Sequence, residues 1–265
     1  MSSSPSKPLR YGMVLFQGFQ ALDVFGPLDA LNSLSQFIPE LELYLIAETL
    51  DPVSTLIPAS ITTSPTDKSP SPFAQSLVPT HTFSSPPPVP LDVLIVPGGW
   101  GTRDQAIASA CAAYIEQVYT QKTLRYLLTV CTGSLLVASA PGIVGKGKDG
   151  GGRLLRMTTN KRALSLWEER LATLAPGARE LVRTRVEWVK KARWVVDDRA
   201  AGAGAEQSLA PVWSASGVSA GIDMVFAFMA HVYGEETSKK VADYIEYERH
   251  TDPSWDPYAD IYGLA

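Results

Sequence analysis

The chain has 265 residues, 45% of them apolar, and a formal charge of −4. That length and apolar share suffice for one full core, so a single large domain is expected rather than two. The acidic balance gives no electrostatic case for a nucleic-acid or anionic-membrane partner.

Residues 11–16 form an apolar, β-rich run that opens the fold, followed by the polar turn Gln17-Gly18-Phe19-Gln20. The stretch Ala21-Leu22-Asp23-Val24-Phe25-Gly26-Pro27-Leu28-Asp29-Ala30-Leu31 reads as a loop leading into a helix, with Pro27 in an early turn. Residues 41–47 are a second strand. Residues 58–90, rich in Pro, Ser and Thr and containing Pro86-Pro87-Pro88, read as an extended surface insertion. Leu91-Asp92-Val93-Leu94-Ile95-Val96 is a buried strand that runs into Pro97-Gly98-Gly99-Trp100-Gly101 and then a helix near 104–121. A strand at 124–128 passes through Thr129-Val130-Cys131-Thr132-Gly133 into a helical run at 134–140.

The glycine-rich, basic stretch 142–153 reads as an exposed turn before a short strand near 155–158. Helical apolar spacing follows over 161–174, through Ala163, Leu164, Leu166, Trp167 and Leu171. Residues 193–196 form a short strand and 200–209 a small-residue loop. Val212 and Trp213 lead to Ser214-Ala215-Ser216-Gly217, which opens a helix over 219–233. A last helix spans 235–250, and the tail beyond is aromatic and loop-like. The boundaries are therefore a flexible segment at 1–9, one domain over 10–250 with its insertion at 58–90, and a tail over 251–265. Strands alternating with helices predict an α/β fold: a mostly parallel sheet with helices on both faces. In such sheets a site lies beyond the carboxyl ends of the strands, where the Asp23 stretch, the Pro97-Gly98-Gly99 turn and Cys131 all fall.

Cys131, at a tight strand-to-helix turn with small residues two places either side, has the pattern of a nucleophile elbow. Its sulfur would sit over the first free N–H groups of a helix, which favours thiolate; a pKa depressed from about 8.5 towards roughly 5 to 6 is expected. The amide of Thr132 can face a developing oxyanion. Gly98, Gly99 or Trp100 could supply a second donor, since glycines let backbone amides approach a ligand closely; each is equally a tight turn. Asp23, alone in an apolar stretch, reads either as a helix N-cap or as a partly desolvated acid beside Cys131. Phe25, Trp100 and the Trp213 region could line an apolar pocket or belong to the core.

His81, His231 and His250 fall away from any strand-to-helix turn, so a Cys-His-Asp triad is not supported. The stretch from Gly142 to Lys148 has phosphate-loop spacing, but Asp149 stands where a Mg²⁺-binding Ser or Thr is needed, and a helix precedes it. Arg179, Arg183, Arg185, Lys190, Lys191 and Arg193 read as a solvated basic face. No Cys or His pair has metal-ligand spacing, so no metal or other cofactor is expected. Two cysteines, Cys111 and Cys131, are too few for a disulfide framework, and Cys111 reads as core filler. The Ser/Pro-rich start lacks the apolar core of a signal peptide, and no apolar run reaches about 18 residues. A cytoplasmic protein with no membrane partner is expected.

The landmarks Ala21-Leu22-Asp23-Val24-Phe25-Gly26-Pro27, Val96-Pro97-Gly98-Gly99, Val130-Cys131-Thr132-Gly133-Ser134, Met157-Thr158-Thr159-Asn160 and Ser216-Gly217-Val218-Ser219-Ala220-Gly221-Ile222-Asp223 together resemble the ThiJ/PfpI superfamily. That resemblance implies a flavodoxin-like three-layer sandwich, related to class I glutamine amidotransferases, and a homodimer. Within the superfamily the chain looks most like the isonitrile hydratases and their fungal relatives, where an Asp faces the cysteine and a Thr follows it, as Asp23 and Thr132 do here. Position 132 is Thr, and position 160 is Asn where many relatives have His, which weakens peptidase and glyoxalase readings. The relatives that regulate transcription carry an added DNA-binding domain, which is not expected here. The resemblance implies a small-molecule substrate, with Cys131 attacking an isonitrile carbon and Asp23 delivering a proton. In that scheme the amides of Thr132 and Gly99 hold charge or water, and the Thr132 hydroxyl steadies Asp23. The alternatives are another cysteine hydrolase or amidase, or a non-enzymatic protein whose thiolate responds to oxidation.

Overall fold

The structure, a computed structural model, describes residues 7–61, 71–145, 153–198 and 209–264. In chain order the first half comprises β1 (Arg10–Val14), α1 (Ala21–Ser35), β2 (Glu42–Ala47), β3 (Val53–Ser54), β4 (Ser76–Leu77), β5 (His81–Thr82), β6 (Val93–Val96), α2 (Gln105–Thr120), β7 (Tyr126–Val130), α3 (Gly133–Ala138) and α4 (Pro141–Val144). The second half comprises β8 (Leu155–Met157), α5 (Lys161–Ser165), α6 (Trp167–Ala172), α7 (Pro176–Thr184), β9 (Val186–Trp188), β10 (Trp194–Asp197), β11 (Val212–Ala215), α8 (Val218–Tyr233), α9 (Glu235–Tyr244) and α10 (Pro257–Ile261).

Seven strands form the central sheet in the order β10-β11-β7-β6-β1-β2-β5, parallel except where β10 runs against β11. Continuous apolar runs suit strands covered on both faces: Val93, Leu94, Ile95 and Val96 of β6 are all fully buried. The chain leaves β1 for β2 in one direction across the sheet and β6 for β7 in the other. Right-handed crossovers then place α1 and α2 on opposite faces. Accordingly α8 and α9 pack with α1, while α3 and α4 pack with α2. The expected flavodoxin-like α/β architecture is therefore present. The strand order reverses between β1 and β6, and the crevice beyond such a reversal is where open α/β sheets place their sites.

Several elements differ from their sequence reading. Ala21 already starts α1, so Pro27 is its seventh residue rather than part of an early turn. The proline withholds the N–H that the Asp23 carbonyl would otherwise accept. The helix expected over 161–174 breaks into α5 and α6 at Leu166, whose φ of −104° and ψ of 39° leave the helical region. The last long helix stops at Tyr244, because Glu246 turns to a φ of +54° and Tyr247 stacks on Phe226. Within the stretch read as a surface insertion, β5 pairs with β2 as the sheet's edge strand, and β4 pairs with β3. Residues 1–6, 62–70, 146–152, 199–208 and 265, which hold parts of the expected N-terminal segment, insertion, glycine-rich turn, small-residue loop and tail, lie outside the described residues.

The expected solvated basic face is corrected in part: Arg183, Lys190 and Lys191 are exposed as read, but two of its members are not free in solvent. Arg193 is buried and ion-paired with Asp223, and Arg179 donates to the Leu171, Ala172 and Leu174 carbonyls near the end of α6. Cys111 is buried core, as read, and burial pushes its thiol far up. No helix among the described residues is long and apolar enough to cross a membrane.

Candidate active site

Cys131 stands between the end of β7 and the start of α3 with a φ of +57°. A non-glycine residue in the left-handed region is strained and persists only where its surroundings hold it. Here the Cys131 N–H donates to the Ala215 carbonyl at 3.1 Å. Its carbonyl accepts the Ser134 and Thr159 hydroxyls, each at 2.9 Å. These bonds tie the elbow to two other segments and to its own helix α3, and the side chain is 7% exposed.

The neighbouring turn fits because of its glycines. A Cβ on Gly98 would lie 2.5 Å from the Thr132 nitrogen and 2.9 Å from the Cys131 Cβ. Gly99 has a φ of +139° and an isolated bridge to Phe19, and a Cβ there would meet the Gly18 carbonyl at 2.3 Å. Of the expected oxyanion donors, the Thr132 N–H faces the sulfur, whereas the Gly98 and Gly99 amides are engaged elsewhere. The Gly98 N–H donates to Asp23 Oδ2 at 3.0 Å and the Gly99 N–H to Thr132 Oγ1 at 3.0 Å. The Thr132 hydroxyl is likewise bound to this turn and to Thr102 at 3.0 Å, rather than to Asp23. Thr102 has one proton to give, to the Gly99 carbonyl at 2.8 Å or to Thr132, and it accepts Arg170 Nη2 at 3.0 Å.

Asp23 is the third residue of α1 and 0% exposed. It is not the N-cap, which is Gln20. Burial lifts its pKa to about 7, against the opposing pull of the Gly98 N–H and the Cys131 thiol. Oδ1 has no hydrogen-bond partner; the carboxyl meets the thiol electrostatically, without ordinary hydrogen-bond geometry, as unliganded sites often do. Cys131 departs from expectation. Burial and the Asp23 charge push its thiol well up, and the Thr132 N–H and hydroxyl only partly offset them. The amides at the start of α3 do favour thiolate, but a buried carboxyl beside the sulfur outweighs them. At neutral pH the two groups together retain a proton.

The mouth of the site is a cavity of about 200 Å³ lined by Cys131, Thr132, Gly99, Trp100, Asn160 and Tyr262, with Arg103 and Arg162 among the other walls. Trp100, 38% exposed, falls where expected. Phe25 does not line this cavity, and Trp213 is core, packed on Phe228. None of the three histidines lines it: His81 is in β5, His231 packs beside Trp213 and His250 stacks on Trp255. Sequence reading missed Thr102, Thr159, Arg103, Arg162, Arg170 and Tyr262. Thr159 lies inside the Met157-Thr158-Thr159-Asn160 motif, and the others carry no local signal. No group of three His, Cys, Asp or Glu among the described residues could hold a metal ion.

Fold and site together define an α/β protein with a cysteine on a strained elbow and a buried carboxyl facing it. No family model matches the chain. It is 33% identical over 138 residues to the isonitrile hydratase of Pseudomonas putida, a match covering 52% of this chain and 50% of that protein. The matched stretch thus spans about half the length of that relative. A ThiJ/PfpI family protein from Pseudomonas syringae shares the fold with a TM-score of 0.56 at 20% identity, over 97% of this chain and 81% of its own. Drosophila melanogaster DJ-1beta does so with a TM-score of 0.55 at 11% identity, over 91% and 99%. The structural likenesses show that the chain has the fold of these ThiJ/PfpI and DJ-1 proteins.

Proposed function

We propose that this protein is a cysteine-dependent isonitrile hydratase, converting R–N≡C to an N-substituted formamide through a thioimidate. The observation that carries the reading is the buried Asp23 carboxyl, at about 7, set against the Cys131 thiol. An isonitrile needs one nucleophile and one proton at the same carbon, and a pair sharing a proton supplies both. As Cys131 Sγ attacks the terminal carbon, Asp23 takes the thiol proton and returns it to that carbon, giving Sγ–CH=N–R. The Thr132 N–H, which already favours negative sulfur, steadies the charge in transit. Water then adds to the thioimidate carbon, the nitrogen is protonated, and the C–S bond breaks with a proton returning to sulfur. The product is HC(=O)–NH–R, and Asp23 carries the protons between steps.

The sequence match to a named isonitrile hydratase supports the same reaction. The redox alternative gains less, because oxidation proceeds through thiolate and this thiol is held protonated. The test is turnover of benzyl isonitrile to its formamide, followed by NMR. Wild type is expected to form it, and Cys131→Ala to lose at least about 100-fold in rate. Equal rates in the two proteins, or no formamide from wild type, would overturn the proposal.

A further inference from the structure

We infer that the mouth above Cys131 receives an anionic group, so that the substrate is an isonitrile whose organic substituent carries a carboxylate. The inference rests on the hydratase reading and adds the substrate class to it. Arg103 and Arg162 both line the mouth, and no carboxylate among the described residues does. The Arg103 guanidinium lies 4.1 Å over the exposed Trp100 ring, which fixes its plane without using its N–H donors. Among the described residues, neither arginine side chain has a hydrogen bond or an ion pair.

Two cations around one small cavity repel each other unless something negative sits between them. The repulsion is felt: burial first, and then the Arg162 charge, lower the Arg103 pKa, and Glu169 opposes them. Glu169 and Asp104 line a separate cavity on the far side of Arg103, not the mouth. Arg170 lines that second cavity, fully buried, with Nε and Nη1 unpartnered, and its charge reaches Cys131. Arg170 thus adds positive charge near the thiol against the opposing Asp23 carboxyl, although an isonitrile is neutral overall and needs no cation at the mouth. A planar guanidinium held on an indole instead suits a carboxylate, which it binds through paired N–H donors. The cavity of about 200 Å³ suits a small substrate, an isocyano group and a carboxylate a few bonds apart.

The experiment compares isocyanoacetate with its neutral methyl ester in wild type, Arg162→Gln and the double variant Arg103→Gln/Arg162→Gln. Arg162 is exposed, so its single variant keeps the fold. A charge-assisted contact corresponds to a preference of roughly tenfold or more in kcat/KM. Wild type should favour the acid by that factor, Arg162→Gln should weaken the preference, and the double variant should bring it near one. An ester turned over as well as the acid, or a preference surviving both substitutions, overturns the inference. Alkylation of Cys131 by iodoacetate and by iodoacetamide, read by peptide mass spectrometry, keeps the two readings apart. The iodoacetate-to-iodoacetamide rate ratio should fall at least about fivefold in the double variant. If that ratio falls while neither isonitrile reacts, the hydratase reading fails and the anion site stands. If the ratio is unchanged, the anion site is overturned.

Discussion

Asp23 is costly to the fold in proportion to its use. A carboxyl carried from 3.8 to about 7 by burial makes the folded state bind more protons than the unfolded state between those values. Stability therefore falls as pH rises through that window, and above about 7 the full penalty, up to about 4 kcal/mol, is present. Asp23→Asn keeps an acceptor for the Gly98 N–H and removes the charge. We expect it to be more stable than wild type by about 2–4 kcal/mol at pH 8 and by little at pH 4, read from urea unfolding. The same substitution should lower isonitrile turnover at least about 100-fold, since it removes the proton carrier. In wild type, kcat/KM should rise through about pH 7 as the pair drops from two protons to one. A profile flat from pH 5 to 8 would remove Asp23 from the reaction.

The elbow is the element that brings these residues together, and its tolerance is set by the turn beneath it. Gly98→Ala would drive a methyl group into the Thr132 backbone, where no flexible side chain can give way. The expected result is a loss of about 2 kcal/mol or more in urea unfolding, with Cys131 turnover falling in parallel. Cys131 and the glycine turn were legible in the sequence because their constraints fall on immediate neighbours: an apolar strand run, small flanking residues, a helical run after. Asp23 was legible as one charge in an apolar stretch, although its position inside α1 was not. The state of the thiol was not legible. The helix start that favours thiolate is local, whereas the opposing carboxyl comes from α1 and the close-packed Gly98 from the turn after β6, both distant in sequence. Arg103, Arg162 and Tyr262 escaped for the same reason, since three separate segments meet at one mouth. The end of α9 was misplaced because its periodicity runs on past Tyr244, while Tyr247 turns in to stack on Phe226 and reach Asp223 at 2.9 Å.

At the scale of the molecule, the tail closes the site it seemed to trail away from. Asp223 of α8 accepts the Tyr247 hydroxyl and the His250 N–H, and it pairs with Arg193, whose own N–H donates to the Pro253 carbonyl at 2.7 Å. Trp255 stacks on His250 at 4.2 Å, and Asp256 lies 3.2 Å from the Lys161 ammonium, both ends of that pair buried. Lys161 also donates to Thr158 at 2.6 Å, one residue from the Thr159 that clamps the elbow. So anchored, α10 carries Tyr262 to the mouth. Burial draws the Lys161 pKa down and Asp256 holds it up, so removing the acid strands a cation. Asp256→Asn should therefore destabilise by about 3 kcal/mol, whereas Lys161→Met/Asp256→Leu should recover most of the loss, because a buried pair barely repays its own desolvation. Lys191→Ala, which removes the exposed pair with Asp260, should cost at most about 0.5 kcal/mol. If the tail is a wall of the site, Asp256→Asn should also raise KM and speed Cys131 alkylation, and the double variant should reverse both. Stability lost with KM and alkylation unchanged would reduce the tail to a strap that holds the fold without shaping the site.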